Sequence, residues 1–226
     1  MAINRKIKRQ GLPETLAESL RERILNGEFR EGDALIQDAI ASEYDVSRMP
    51  VREALRQLEA WGLVVMQLHK GAVVSSIPTE QIAELYELRA MLECDLLERS
   101  IPRLTDAQLA NSRAILGELD GSYKSRNFAD WGRLNWEFHR SLYLAAERVQ
   151  TLAVVQGINL QTARYVRLQL LLTRAFKDAE QEHRHLLKLC EQRDVAKAVS
   201  FLKDHILDSG RKLLVALRKS RTAAAA

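Results

Sequence analysis

Two sets of side chains in this sequence have the types and spacing to do chemistry. The first is Arg48, Arg52 and Arg56. They recur every four residues and so share one face of a helix. Arginine's planar fork pairs with two acceptors at once, such as guanine O6 and N7 or two phosphate oxygens. The second set is Asn135, His139, His183 and His205. Asn135 and His139 are i,i+4 neighbours, and the three histidines fall on the apolar stripes of three different helical segments. One inward histidine is an ordinary hydrogen-bonded core residue. Three on facing helices, beside an amide oxygen, make a donor set for a divalent cation such as zinc, nickel, manganese or iron. A third feature is Arg89, in the middle of the apolar stripe Ile82, Leu85, Arg89, Leu92, Leu96. A buried guanidinium demands a partner.

The arginines need a helix that presents them. Ser47 suits its N-cap, where a hydroxyl can accept from first-turn N–H groups. Pro50 falls within that first turn, where a missing N–H costs nothing. Val51, Leu55 and Leu58 supply the buried stripe opposite the arginines. An exposed helix N-terminus also favours phosphate oxygens. Upstream, Ile36 to Tyr44 reads as a short helix, and Asp45-Val46 as a tight turn. That is helix-turn-helix spacing. Downstream, Gly62 stops the helix. Leu63–Met66 and Ala72–Ser75 are β-prone runs around His69-Lys70-Gly71, a hairpin with glycine near its tip. Before all this, Glu14 to Asn26 reads as an amphipathic helix with Leu16, Leu20 and Ile24 inward and Gly27 as its stop. The sum is a winged helix-turn-helix, with a basic arm over residues 1–10.

The histidines need a bundle. Ile77-Pro78-Thr79 is a linker, because proline blocks a helix before it. Periodicity beyond it predicts helices over about 79–100, 105–121, 127–146, 150–174, 177–192 and 194–218. Thr105-Asp106 and Asp194 are their plausible N-caps. The expected fold class is mainly α: an N-terminal winged helix-turn-helix with a small β-hairpin wing, then an all-α bundle of six to seven helices. The expected domains are 1–77 and 78–220.

Composition sets outer limits. A chain of 226 residues can hold roughly two domains. A formal charge of +4 permits nucleic-acid binding without requiring it. No apolar run approaches the ~18 residues of a membrane helix, so no membrane partner is expected. The two cysteines, Cys94 and Cys190, fit a reducing cytoplasm and read as core fillers.

Residues about 12–77 resemble the GntR family of bacterial transcription regulators. The likeness is carried by Leu25-Asn26-Gly27-Glu28-Phe29 with Gly32-Asp33, then by the long run Val46-Ser47-Arg48-Met49-Pro50-Val51-Arg52-Glu53-Ala54-Leu55. Leu58-Glu59, Gly62-Leu63-Val64 and Gly71 continue it. Gln37 departs from the family's usual glutamate. The resemblance implies a homodimer on a palindromic double-stranded DNA operator. Its DNA-binding residues would be Ser47, Arg48, Pro50, Arg52 and Arg56, with His69, Lys70 and Gly71 from the wing.

Residues about 80–215 resemble the FCD ligand-binding domain of the FadR-type branch. The carrying text is Glu87-Leu88-Arg89-Ala90-Met91-Leu92-Glu93, Asn135-Trp136-Glu137-Phe138-His139, Glu182-His183-Arg184 and Asp204-His205-Ile206. By motif match, Asn135, His139, His183 and His205 would hold a divalent metal, zinc or nickel foremost. Asn135 stands where the family usually has aspartate, so one negative charge is lost. The resemblance also implies a small organic acid effector. Arg89 would anchor its carboxylate, with Arg164 and Tyr165 as further contacts. The function expected is a cytoplasmic transcriptional regulator, a repressor, controlled by that acid. The competing expectations are a metal-dependent enzyme with an accessory winged helix, and a metal-structured regulator without an effector, in which Arg89 pairs with Glu93 or another internal acid.

Overall fold

The computed structural model describes residues 11–68, 70–125, 128–173 and 176–224, with side chains outside 124–130, 164, 167–176 and 219–226. It falls into two compact units, one ending at Ser76 and one beginning at Ile77.

The first unit contains α1 (Leu12–Leu25), β1 (Ala34–Leu35), α2 (Gln37–Glu43), α3 (Arg48–Ala60), β2 (Val64–Gln67) and β3 (Gly71–Val74). Leu16, Leu20 and Ile24 of α1 meet Ile40 of α2 and Val51, Leu55 and Leu58 of α3 in one buried cluster. These are the stripes that the apolar periodicity picks out. Asp45 takes a left-handed φ of 50° between α2 and α3, which makes the turn of the helix-turn-helix. Aspartate tolerates that conformation better than most residues. Gly62 closes α3 with φ 72°. Its N–H reaches Glu59 O, and the next N–H, of Leu63, reaches Leu58 O. This paired ending satisfies two of the helix's orphan carbonyls.

Two details differ from expectation. Ser47 stands at the N-cap with extended backbone, but its side chain makes no capping hydrogen bond. The wing is also not a simple hairpin. The sheet has three antiparallel strands in the order β1-β3-β2, with Ala34 opposite Val73 and Val64 opposite Val74. A two-residue strand has no alternation to read, so β1 was invisible in the sequence.

The second unit comprises α4 (Thr79–Ser100), α5 (Asp106–Ser125), α6 (Phe128–Tyr143), α7 (Val149–Thr173), α8 (Phe176–Glu191) and α9 (Val195–Ala224), with short 3₁₀ turns at Ile101–Arg103 and Leu144–Ala146. None of the described helices is long and apolar enough to cross a membrane. Thr105 opens α5 with a reciprocal cap: its Oγ1 accepts from Gln108 N–H, and Gln108 Oε1 accepts from Thr105 N–H. That arrangement satisfies two orphan donors. Asp194 caps α9 by accepting from Lys197 N–H.

α9 runs six residues past its expected end. The run of alanines there is the best helix-forming sequence available. On α4 the buried stripe is rotated from the expected one. Tyr86, Ala90, Glu93 and Leu97 are inward beside Ile82, Arg89 and Leu96, while Leu85 and Leu92 are half-buried. Gly210 of α9 meets Tyr86 of α4 so closely that a Cβ there would lie 2.9 Å from the tyrosine ring.

Candidate functional sites

Arg48, Arg52 and Arg56 are all exposed along α3, with Pro50 in its first turn. Their existing partners are surface acids: Asp38 for Arg48, and Glu53 for both Arg52 and Arg56. Exposed pairs of this kind are worth little and yield readily to a phosphate or base edge. Lys70 and Gly71 sit at the β2–β3 turn, with Gly71 opening β3. His69 lies outside the described residues.

The second unit places the three histidines together. His139 comes from α6, His183 from α8 and His205 from α9, and one ligand nitrogen of each lies within 4.8 Å of the others. The spacing follows from helix packing. Phe138 stands edge-on to both His139 and His183, with ring centroids 5.4 and 5.3 Å away, and fixes the depth of both rings. His139 and His183 are 2% and 1% exposed. Their Nε2 atoms face each other at 3.2 Å.

Burial, then the charge of neighbouring His183, His205 and Arg89, holds His139 well below the ordinary imidazole pKa. Burial and His205 do the same to His183. Both rings are therefore neutral at pH 7, the form that ligates metals. His183 Nδ1 is buried with no hydrogen-bond partner among the described residues.

Behind the rings stand oxygen partners. Glu182 Oε2 lies 2.7 Å from His205 Nδ1, and the imidazole holds that carboxyl below its usual range. Tyr143 hydroxyl lies 3.3 Å from His139 Nδ1 and donates to Glu93 Oε2 at 2.8 Å. Glu93 Oε1 in turn accepts from Arg89 Nε at 2.7 Å. Metal-ligating histidines characteristically have such outer partners, which fix the tautomer and ring orientation.

The rings open onto a cavity of about 40 Å³. Asn135, Arg89, Tyr86 and Lys212 are among its lining residues. One water needs roughly 10–15 Å³ on this measure, so the space holds about three small groups. An ion with a few ligand atoms fits there. Tyr86 hydroxyl is buried here without a hydrogen-bond partner among the described residues. The thiols play no part. Burial pushes Cys190 up to about 12 and Cys94 up to about 11.

The structure thus brings Asn135, His139, His183, His205 and Arg89 to one cavity. Arg89 arrives already paired with Glu93, and both members of the pair are buried. Tyr165 does not line the cavity. It is buried, and its hydroxyl accepts from the backbone N–H of Ile77 at 3.0 Å, across 88 positions of sequence. Its neighbour Val166 faces the cavity instead. Arg164 lies on α7, and its side chain is outside the described residues.

Sequence reasoning passed over Tyr143 and Glu182. Tyr143 is four residues from His139, so helical spacing could have found it. Glu182 had no such signal, because it reaches His205 only through the packing of α8 on α9.

Comparison with known proteins is consistent with this architecture. Residues 12–74 match the family described as bacterial regulatory proteins, gntR family, and residues 84–208 match the FCD domain. The chain is 29% identical over 206 residues to the HTH-type transcriptional regulator BphR of Paraburkholderia xenovorans, covering 88% of this chain and 84% of that one. It is 26% identical over 196 residues to the HTH-type transcriptional repressor GlaR of Escherichia coli, covering 83% and 89%. Among solved structures, a GntR family member from Pseudomonas syringae is 35% identical with a TM-score of 0.54, covering 92% of this chain and 88% of that one. A putative GntR regulator from Rhodococcus shares the fold with a TM-score of 0.79 at 24% identity, covering 89% and 97%. The chain belongs to the GntR family of bacterial regulatory proteins, as a DNA-binding transcriptional regulator whose second domain is an FCD domain.

Proposed function

We propose that this regulator binds a palindromic operator as a homodimer and that a small organic acid, bound at a metal in the helical unit, controls its affinity for DNA. The observation that carries the reading is the convergence of three histidines, two of them neutral and buried, on one small cavity. His139, His183 and His205 would hold a divalent ion, with the amide oxygen of Asn135 beside them. All four donors are uncharged. A bound dication therefore keeps its full charge, and an anionic ligand is favoured next to it. The metal, when present, supplies an electrostatic anchor for a carboxylate.

On the DNA side, Arg52 and Arg56 would read base edges while Arg48, Ser47 and the first turn of α3 meet phosphates. Lys70 and Gly71 of the wing, with His69, would contact backbone or minor groove. Repression is the favoured sign, because GlaR and the gluconate operon repressor of Bacillus subtilis, 31% identical over 132 residues, carry that name. Effector and operator would be coupled reciprocally: an acid that weakens DNA binding is itself bound less tightly by the DNA complex.

The test is metal analysis of purified protein followed by thermal shift with small carboxylic acids. Stoichiometric zinc or nickel, lost in His183→Ala, supports the reading. A protein that takes up neither ion above pH 7 refutes it.

One observation favours a second reading, a regulator structured by metal with no effector. The guanidinium expected to greet a carboxylate is already held by Glu93. Metal uptake with no thermal shift from any C2–C4 acid would select that reading.

A further inference from the structure

We propose that Tyr143 and Glu93 are positioning residues for the metal site: together they hold His139 as its Nδ1–H tautomer and leave the Nε2 lone pair facing the cavity. The inference rests on the metal reading above and extends it to residues outside the ligand set.

The hydrogen bonds admit one consistent order. Glu93 is a carboxylate against a guanidinium and can only accept. It accepts from Arg89 at Oε1 and from Tyr143 at Oε2. Tyr143 has one proton, and it points at Glu93. Toward His139 Nδ1 the phenol oxygen can therefore only accept, so Nδ1 carries the hydrogen. His139 Nε2 is then a bare lone pair. His183 Nε2, 3.2 Å away, supplies the hydrogen between the two rings. That leaves His183 Nδ1 as a lone pair, and this is the ring nitrogen with no partner among the described residues.

The reverse order fails. If Tyr143 donated to His139, its oxygen would face Glu93 Oε2 at 2.8 Å with no hydrogen between them. Both groups are fully buried, at 1% and 0% exposure. Two acceptors without a proton at that distance repel, and burial amplifies the penalty.

The same logic applies on the far side. Glu182 accepts from His205 Nδ1, so the neutral form of that ring has its lone pair at Nε2. Two of the three histidines are thus braced from behind by oxygen acceptors. His183 has no such brace among the described residues, so it is the ring free to change tautomer to accommodate an ion. The arrangement is a lock on His139, a lock on His205 and a movable third member.

The test uses the full chain. Nitrogen-15 NMR of the histidine side chains in chelator-treated protein reads the tautomer of each ring directly. Wild type should show His139 as Nδ1–H, and Tyr143→Phe should convert it wholly or partly to Nε2–H. Zinc affinity, read by competition with a chromophoric chelator, should weaken 10–100-fold in Tyr143→Phe, the usual effect of removing an outer-shell partner. A structural role alone would not move the tautomer. His139 found as Nε2–H in wild type overturns the proposal. So does a Tyr143→Phe variant that keeps both the tautomer and the zinc affinity of wild type. If wild type takes up no zinc, the metal reading falls, and the tautomer measurement still decides the lock.

Discussion

Acidifying the metal-free protein from about pH 7 to about pH 5.5 should strip about 3 kcal/mol of stability from the helical unit. In the unfolded chain, His139 and His183 take up protons near the ordinary value of about 6.5. In the folded chain both are held well below it, by burial first and by neighbouring positive groups second. Between the two values the unfolded state binds more protons. Stability is therefore complete above about pH 6.5 and falls as pH drops beneath it. The slope is about 1.4 kcal/mol per pH unit per histidine, so one unit below 6.5 costs the pair about 3 kcal/mol. Marginal stabilities run to about 5–15 kcal/mol, which makes this a large share. For a unit of this size it corresponds to a drop in Tm of about 6–12 °C. The carboxyls held low by their partners, Glu182, Asp194 and Asp208, yield their contribution only below about pH 4.5, outside this window. The assay is urea unfolding with chelator present, in a Trp61→Phe background, so that the fluorescence comes from Trp131 and Trp136 of the helical unit alone. A flat profile across that range refutes the reasoning. It would mean that the two rings are hydrated, or charged, inside the fold.

Other consequences can be checked separately. Arg52→Ala should lose about 1–3 kcal/mol of operator affinity and relax specificity at one base position; a uniform loss across all sequences, read by titration on mutated operators, would assign it to phosphate instead. Asn135→Asp restores a negative charge beside the histidines and should tighten zinc binding at least tenfold in chelator competition; unchanged affinity would take residue 135 out of the ligand set. Tyr165→Phe should destabilise the helical unit by about 1 kcal/mol through loss of the Ile77 hydrogen bond, while leaving metal uptake intact; impaired uptake would return Tyr165 to the cavity.

How legible was all this in the chain? What depends on neighbours in sequence was readable. The arginine face of α3 follows from spacing, the helix ends at Gly62 and Asp194 from local hydrogen bonding, and the inward histidines from apolar periodicity. What depends on another segment was not. Spacing offered Glu93 as one internal partner for Arg89 without excluding another acid, and Leu92 beside it looked like core. Glu93 is inward with Arg89 on α4 and Tyr143 on α6 both donating to it, and the second donor comes from another helix. Tyr165 sat near two arginines and invited a ligand role; that its hydroxyl accepts from a backbone N–H 88 residues earlier had no signal in the spacing. The strand Ala34–Leu35 exists because β3 offers it an edge, not because two residues have a strand's pattern.

The contact between Gly210 and Tyr86 gives α9 the proportions of a lever. The helix is pinned where its backbone meets the tyrosine ring, at a place where no side chain can slip past. His205 lies five residues to one side of that pin, about 7.5 Å along the axis, and Ala224 fourteen residues to the other, about 21 Å. A pull on the imidazole therefore has a short arm, and the far end of the helix a long one. Leu202 and Ile206 on one side of the pin and Leu213 and Leu217 on the other are buried in the same core, so the helix can pivot only as far as those contacts yield.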